Sequence, residues 1–548
     1  MIGPSEQLWY KNAVFYSLDV ETFYDSSGDG RGDFPGLIEK LDYLAGLGIN
    51  CIWLLPFYPS PNHDNGYDVM DYFGVDETLG SLGDFAVFLE KATQLGIRVI
   101  IDLVVNHTSI EHPWFQAARN DRNSPFRDFY VWSDEPKKFK DSKLMLKGEE
   151  DTMWSYDEKA GQYYLHRFYK EQPDLNLGNK KLREEIFKIM AFWLKLGVSG
   201  FRIDAAEIMI ENYGQNGVKK EDLLDFFNDM YDFTLSKRRD AVLLAEVNGD
   251  PKKMAAFLDN GKRVQMIFNF YLNQHIFLAL VQQNASTLAK ALRELPRLSN
   301  SNQFLNFLRH HDELNLKLLN KKQMHEVFEE LGPEENMRIF GFGIRRRLAP
   351  MFHNNIQRMK LAYSLLFSMP GTPLIRYGDE IGMGDDLSLE GRTSVRTPMQ
   401  WSGMKNGGFS SAAETELVPP VISKGAFSFE KINVLKMQHD GDTLLNWIEQ
   451  LIITRKQCAE IGAGKLEVLK SSHDPVLVHR FSWNGTWLYC IHNLADMKFI
   501  CNKKDHGIEA GKIFDVLSDA SPYEDNDLEI SINPFGFRWI RIENKNEL

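Results

Sequence analysis

The chain has 548 residues, 43% hydrophobic and 25% charged, a globular balance that excludes a disordered or fibrous protein and allows roughly three to four domains. Acidic residues number 76 against 63 Lys and Arg, a net charge of −13, which argues against nucleic acid as a partner. The four cysteines lack close pairs or metal-type spacing, and no apolar window is long enough for a membrane span or a leader, so we predict a cytoplasmic protein.

Short apolar runs alternate with helix-period segments along most of the chain. The runs predicted as strands are Val14–Leu18, Asn50–Pro56, Ile97–Val105, Gly200–Asp204, Ala241–Val247, Val264–Phe270, Gln303–Arg309 and Pro373–Tyr377. The helices predicted between them include Leu37–Leu47, Asp84–Leu95, Leu182–Leu196, Glu221–Leu235 and Ile356–Phe367. Eight such units predict an α/β protein with a closed (β/α)8 TIM barrel. An open doubly wound sheet is the alternative, although no G-x-G-x-x-G follows the first strand.

Residues 107–174 break this alternation. They are rich in aromatic residues, Asp and Lys and show little helical period, so we predict an inserted domain after strand three. The barrel then comprises residues 1–106 and 175–460.

Residues 461–548 also break the alternation. They contain strand-like runs separated by turn residues, at Val476–Trp483, Thr486–Asn493 and Phe537–Ile542. We predict a C-terminal antiparallel β-sandwich domain, preceded by a closing helix at Thr443–Ala459.

The predicted strands end in polar residues at the face where TIM barrels hold their active sites. Strand four carries Arg202 and Asp204, strand five ends at Glu246, and strand seven runs into His311 and Asp312. A single acid there is readily explained as a helix cap or an ion pair. Three acids on one rim instead fit retaining glycoside chemistry, which needs a nucleophile and an acid/base about 5 Å apart. We expect Arg202 to keep Asp204 ionised, and Glu246, with less positive charge nearby, to hold a proton.

Several segments of the sequence resemble the signature regions of glycoside hydrolase family 13, the α-amylase family. They are Asp102–His107 (DLVVNH), Gly200–Ala205 (GFRIDA), the segment around Glu246 (LLAEVN), Phe307–Asp312 (FLRHHD) and Gln172–Asn176 (QPDLN). Three further stretches resemble the trehalose synthase, or maltose α-D-glucosyltransferase, branch of that family: Gly343–Pro350, Gly378–Asp385 and Val395–Ser402. The resemblance runs from about Trp9 to Ala459.

The resemblance implies α-glucosyl transfer through a covalent glucosyl-enzyme intermediate, with maltose converted to trehalose and back and some hydrolysis to glucose. The alternative is an α-glucosidase or α-amylase-type hydrolase of maltose and short maltooligosaccharides. A more remote alternative is a catalytically silent sugar-binding subunit. No organic cofactor, membrane or nucleic acid is implied, and self-assembly or association with a maltose kinase is left open.

The resemblance also implies roles for individual residues. Asp204 is the nucleophile, Glu246 the acid/base and Asp312 the carboxylate that holds and distorts the glucosyl ring. The residues implied to bind the sugar are Tyr67, Asp68, His107, Arg202, His311 and Arg396. Arg396 has an alternative as a structural partner of Asp379 or Glu380. His310 stands where the family usually has Asn, and Arg376 replaces a common aromatic residue, so either could alter how the second sugar is held.

A Gly-rich loop after strand one concentrates oxygen ligands in a pattern that suits Ca²⁺ or Mg²⁺. The predicted ligands are Asp25, Ser27, Asp29, the carbonyl of Arg31, and Asp33. A tight turn with solvated acids is the alternative. A second calcium site is implied only by the resemblance, with Asn106, Asp174, Glu211 and the carbonyls of Ile208 and Met209 as its ligands. Neither ion would do the chemistry, which needs two carboxylates and no Lewis acid.

Overall fold

Eight parallel strands close a barrel in which each strand pairs with its neighbours in the chain, and the last pairs with the first. The computed structural model describes residues 8–136, 144–145, 150–210, 219–505, 508, 513–519 and 529–543. The barrel strands are β1 Phe15–Leu18, β2 Cys51–Leu54, β3 Arg98–Leu103, β4 Gly200–Ile203, β5 Val242–Ala245, β6 Met266–Phe268, β7 Gln303–Phe307 and β8 Thr372–Arg376. The predicted TIM barrel is therefore confirmed, and the open doubly wound sheet is excluded.

Helices pack their apolar sides against this barrel. Those outside the insertions are Phe34–Glu39, Leu41–Leu47, Leu82–Gln94, Lys180–Leu196, Ala206–Met209, Lys220–Lys237, Pro251–Leu258, Phe270–Gln282, Ser286–Glu294, Leu348–Met351, Ile356–Ser368, Val434–His439, Leu444–Lys456 and Ala459–Ala463. The predicted helix Leu37–Leu47 is two helices. The break falls at Lys40, whose ammonium lies 3.7 Å from the centre of the Tyr24 ring. None of the described helices combines the length and apolar character needed to span a membrane.

The segment between β3 and β4 contains a helix at Pro113–Asn120 and a three-stranded antiparallel sheet. The strands of this sheet are Trp132–Ser133, Trp154–Asp157 and Gln162–Leu165. His107 and Asp174 pair in an antiparallel bridge. The two ends of the segment therefore meet at the rim of the barrel, beside the C-terminal end of β3.

A second addition, between β7 and β8, was not predicted. It consists of the helix Lys321–Leu331 and a small antiparallel sheet whose strands are Leu314–Asn315, Arg338–Ile339 and Gly343–Ile344. Residues 338–344 form its outer turn, which we call the roof hairpin. Strands of two residues are too short to produce a periodic sequence pattern, so the sequence does not predict them.

The C-terminal domain contains two antiparallel sheets with a shared apolar core. The five-stranded sheet comprises Lys465–Val468, Val476–Trp483, Thr486–Asn493, Ile513–Ser518 and Phe537–Glu543, and the two-stranded sheet comprises Phe499–Asn502 and Glu529–Ile532. Side chains of the first sheet, such as Tyr489 and Ile491, pack with Cys501 and Ile530 of the second. The predicted β-sandwich is confirmed.

Two stacked histidines lie where this sandwich packs on the helix Ile356–Ser368. The ring centres of His479 and His492 are 5.7 Å apart. His479 Nε2 is 2.8 Å from the Ser368 carbonyl oxygen, and His492 Nε2 is 3.0 Å from Ser364 Oγ. Burial lowers the pKa of His479 from its ordinary value of 6.5 to about 4, and lowers the pKa of His492 well below its usual range. Both rings are therefore neutral in the folded protein at neutral pH.

We expect the free energy of unfolding to fall as the pH drops from about 6.5 towards 4, by about 3 kcal/mol from His479 alone. The unfolded chain takes up these protons in that range, whereas the folded chain does not. Urea denaturation at a series of pH values measures the slope. His479→Gln should flatten it, His325→Gln on the surface should not, and equal slopes in both variants would contradict this account.

Candidate active site

A cavity of about 860 Å³, including its open mouth, lies at the C-terminal ends of the barrel strands. Five of the residues predicted for the site line it: Tyr67, His107, Asp204, Glu246 and Asp312. Other lining residues were not predicted as site residues, among them Asp64, Asn248, Phe270, Glu313, Phe340, Phe342 and Arg392. The cavity thus combines a group of carboxylates with an aromatic wall, an arrangement suited to a polyhydroxylated ligand.

A buried arginine on β4 organises the carboxylates. Arg202 Nη1 is 2.5 Å from Asp204 Oδ1 and 2.6 Å from Asp102 Oδ1. Its Nη2 is 2.8 Å from Glu246 Oε2. The same oxygen, Glu246 Oε2, also accepts a hydrogen bond from the backbone N–H of Ala205 at 2.9 Å. One guanidinium thus holds both proposed catalytic acids, with Asp102 on β3 as its third partner.

This geometry corrects one expectation. Glu246 does not lie away from positive charge, because Arg202 contacts it as directly as it contacts Asp204. Burial raises the pKa of Glu246 to about 7 in spite of Arg202, and the nearby charges of Asp204 and Asp312 add to the rise. Burial also raises the pKa of Asp204, and Arg202 opposes that effect. Desolvation and neighbouring carboxylates, rather than distance from Arg202, therefore keep Glu246 partly protonated near neutral pH.

Asp312 follows β7 and is held by two arginines from the segment after β8. Its Oδ1 lies 2.7 Å from Arg396 Nη2 and 3.2 Å from Arg392 Nη1. Arg396 Nε also donates to the His311 carbonyl at 3.0 Å. Burial alone would raise the pKa of Asp312, but the two guanidinium groups outweigh it and hold that pKa well below its usual range. Asp312 is therefore ionised, as a carboxylate that binds sugar hydroxyls should be.

The alternative partners considered for Arg396 are bound elsewhere. Asp379 lies 3.1 Å from Arg347 Nη1. Glu380 Oε1 accepts hydrogen bonds from the hydroxyls of Tyr16 and Tyr43, at 2.7 and 2.8 Å. Arg396 therefore supports Asp312, from a position behind the cavity wall.

Tyr67, His107 and His311 lie together on one side of the cavity. Tyr67 Oη is 2.9 Å from His311 Nε2, and the two rings stack with planes 12° apart. His107 Nε2 is 3.1 Å from the Tyr67 carbonyl oxygen. Burial lowers the pKa of both histidines, so both are neutral. His107 lines the cavity, whereas His311 lies behind Tyr67 and Asp312 and positions them.

Asp68, predicted to bind sugar hydroxyls, is not among the residues that line the cavity, and its role in sugar binding stays a prediction. Its carboxylate is fully buried and accepts from the Ser60 hydroxyl at 2.8 Å and from the backbone N–H groups of His63 and Asp64 at 2.9 and 3.1 Å. Asp68 therefore shapes its own loop. The acid of this loop that lines the cavity is Asp64, and burial raises its pKa to about 6.

We expect substitutions of Asp64 and of Asp68 to have opposite effects on activity and on stability. We expect Asp64→Asn to lower kcat/KM for maltose about 10- to 100-fold, the effect of losing a charge-assisted hydrogen bond, with little change in the melting temperature. Asp68→Asn should lower the melting temperature, because its loop N–H groups lose their acceptor. Steady-state kinetics with a thermal melt of each variant tests this; the reverse pattern would restore Asp68 to the site.

The two departures from the family pattern occupy different places. His310 lines the cavity, and its Nδ1 accepts a hydrogen bond from the backbone N–H of Asp312 at 3.3 Å. Arg376 is buried behind the cavity, where it donates to the carbonyl oxygens of His310, at 3.0 Å, and of Val395. Only His310 is placed to meet a ligand.

The carboxylates of the first predicted cation loop accept hydrogen bonds from neighbouring groups of the protein. The Asp25 carboxylate accepts from the N–H groups of Gly28 and Gly30 and from the hydroxyls of Ser27 and Ser410. Asp33 likewise accepts from four donors, the N–H groups of Ser26, Ser27 and Gly36 and the Ser26 hydroxyl, and Asp29 accepts from the Arg31 N–H. A carboxylate has about four acceptor positions. In this arrangement, therefore, the residues do not form a cation cage.

The second predicted set converges on a guanidinium. Arg167 Nε is 2.7 Å from Asp174 Oδ2, and Arg167 Nη2 donates to Asn106 Oδ1 at 3.3 Å and to the Ile208 carbonyl at 2.9 Å. Glu211 lies outside the described residues. The side chain of Arg167 takes the position predicted for calcium, so this set does not fit an ion as arranged.

Comparisons with known proteins identify the family of the chain. Residues 20–464 match the family described as alpha amylase, catalytic domain. A trehalose synthase of Pimelobacter sp. is 38% identical over 503 residues, which cover 89% of this chain and 88% of that protein. A trehalose synthase/amylase of Mycolicibacterium smegmatis is 38% identical over 480 residues, which cover 87% and 81%. Among solved structures, the alpha-amylase of H. orenii has a TM-score of 0.77 at 28% identity and covers 97% of this chain and 100% of its own.

Proposed function

Since the chain belongs to the α-amylase family, glycoside hydrolase family 13, we propose that it is an enzyme of the trehalose synthase type, which interconverts maltose and trehalose with retention of configuration. The observation that carries this proposal is the pair Asp204 and Glu246, both held by Arg202, in a cavity that aromatic residues also line. Two of the sequence relatives described above are named trehalose synthase and trehalose synthase/amylase, which supports the proposal.

In the first half-reaction, Asp204 attacks the anomeric carbon of the bound glucosyl unit. Glu246 gives its proton to the glycosidic oxygen, so the second glucose leaves as a neutral molecule. A pKa of about 7 leaves a useful fraction of Glu246 protonated at neutral pH. Asp312, ionised by its arginines, holds the hydroxyls of the glucosyl ring.

In the second half-reaction, the released glucose turns inside the cavity and presents its anomeric hydroxyl. Glu246, now a base, takes the proton of that hydroxyl, a new bond forms to the glucosyl carbon, and the ester to Asp204 breaks. Water could attack in place of glucose with the same proton transfer. Isomerisation therefore requires that the cavity keep glucose in and water out.

A hydrolase of maltose and short maltooligosaccharides is the second candidate. The relative from Mycolicibacterium smegmatis is named a trehalose synthase/amylase, and the second half of that name supports this candidate. Its first half-reaction is identical, so the catalytic carboxylates do not separate the two. The silent sugar-binding subunit is disfavoured because all three acids are present and line the same cavity.

We also propose a cytoplasmic location, which the four buried cysteines support because none is in a disulfide. Self-assembly and association with a maltose kinase stay predictions, which size-exclusion chromatography with and without such a kinase tests. A structural Ca²⁺ or Mg²⁺ also stays a prediction from the sequence; the arrangement of its intended ligands does not support it.

The decisive experiment incubates the purified protein separately with maltose and with trehalose and follows glucose, maltose and trehalose by chromatography. Asp204→Asn serves as the blank. We expect each disaccharide to form from the other until both mixtures reach the same composition, with a smaller share of glucose. Glucose alone from maltose would make the protein a hydrolase.

A further inference from the structure

The roof hairpin brings Phe340 to the cavity in a strained backbone conformation. Its φ is 55°, in the left-handed region that a bulky residue rarely adopts. Gly341 follows with a φ of 72°, which costs a glycine little. Because the ring of Phe340 lines the cavity, the strain lies where a side chain meets the ligand. Strain of this kind persists where the surrounding structure enforces it, and functional sites are where it concentrates.

Arg392 contacts the ring of Phe340. Its guanidinium carbon lies 5.3 Å from the centre of the Phe340 ring, within the range of a cation–π interaction. The same guanidinium is 3.2 Å from Asp312 Oδ1 and 2.8 Å from Glu313 Oε2. One side chain therefore joins the roof of the cavity to the carboxylate that holds the glucosyl ring.

The base of the hairpin is tied to the segment that carries Arg392. Arg345 donates to the carbonyls of Leu389 and Gly391 at 2.8 and 2.9 Å, and to that of Leu387 at 2.8 Å. A Cβ atom added at Gly343 would lie 2.4 Å from Cγ of Glu313. Only glycine therefore allows the backbone of the hairpin to come this close to Glu313. The roof and the arginine segment are thus packed as one unit.

Resting on the proposed function, we infer that Phe340 and Arg392 are specificity-determining residues that set whether the glucosyl enzyme reacts with glucose or with water. In both cases the ester between the anomeric carbon and Asp204 breaks, a bond to an incoming oxygen forms, and Glu246 receives the proton. The Phe340 ring can cover an apolar face of the released glucose, and Arg392 keeps the ring in place while Asp312 holds the glucosyl unit. Loss of the ring opens the cavity to water.

The test uses Phe340→Leu with Phe328→Leu as its matched control. Phe328 lies in the same addition and carries a similar contact, with Arg338 4.8 Å from its ring centre, but it does not line the cavity. With maltose as substrate, we expect the ratio of glucose to trehalose to rise roughly three- to fivefold in Phe340→Leu, the size of one cation–π contact. The ratio should not change in Phe328→Leu.

A second variant separates a role in specificity from a role in folding. Phe340→Gly removes both the ring and the backbone strain, so we expect a higher glucose share with a melting temperature close to that of the parent. A purely structural Phe340 would give a lower melting temperature and an unchanged ratio. If the parent forms trehalose and neither variant changes the ratio, the inference is overturned; a parent that forms no trehalose overturns the proposed function instead.

Discussion

Asp204→Asn is expected to lower the turnover of maltose by roughly four to six orders of magnitude, because a carboxamide cannot form the glucosyl ester on which both half-reactions depend. The variant should still fold. Arg202 keeps Asp102 and Glu246 as partners, at 2.6 and 2.8 Å, so the buried guanidinium is not left without a counter-charge.

Product formation over long incubations, measured by chromatography, gives the residual rate, and a thermal melt shows that the variant is folded. In Asp204→Gly, azide can occupy the vacated space and attack the anomeric carbon itself. The glycosidic bond then breaks with proton donation from Glu246, so we expect glucose and glucosyl azide, and no trehalose, as the products. A folded Asp204→Asn that keeps more than about a tenth of the activity would exclude Asp204 as the nucleophile.

Glu246→Gln is expected to lower kcat/KM for maltose by about a hundredfold to ten-thousandfold, the usual contribution of a general acid. The pH profile carries the sharper prediction. The acid must be protonated to act, and its pKa is raised to about 7, so kcat/KM should fall as the pH rises through 7. Glutamine does not titrate, so the variant should lose this alkaline limb.

A substrate with a good leaving group provides the control. 4-Nitrophenol needs little protonation to leave, so Glu246→Gln should lower kcat/KM for 4-nitrophenyl α-glucoside, which reports formation of the glucosyl enzyme, far less than it lowers kcat/KM for maltose. Equal losses on both substrates, or an alkaline limb that survives the substitution, would assign the proton donor to another group.

The sequence predicted the barrel well because its signals are local. Each strand is a continuous apolar run. Asp204 and Glu246 stand directly after two of them, and Asp312 stands five residues after the end of a third. The pairing of β4 with β5 places Arg202 opposite Leu244, two residues before Glu246. That register brings Arg202 into contact with both Asp204 and Glu246. The composition near each strand does not show this contact.

Other parts of the site depend on backbone geometry that residue patterns do not show. The loop around Tyr67 contains two acids, Asp64 and Asp68. Between Asp64 and Tyr67 the backbone makes a left-handed turn at Asn65 and Gly66, with φ of 48° and 83°, and this turn is part of what decides which acid faces the cavity. Similarly, Arg167 reaches Asn106 from 61 positions away in the chain. No spacing rule would have identified it as the partner of the predicted calcium ligands.

The most direct test of the account is to trap the glucosyl enzyme. A 5-fluoro-glucosyl fluoride forms the ester quickly and releases it slowly, so digestion and mass spectrometry can locate the sugar. We expect a single adduct, on the peptide that contains Asp204. In Asp204→Asn this adduct should not form. An adduct on another residue, or active enzyme that forms none, would contradict the central claim.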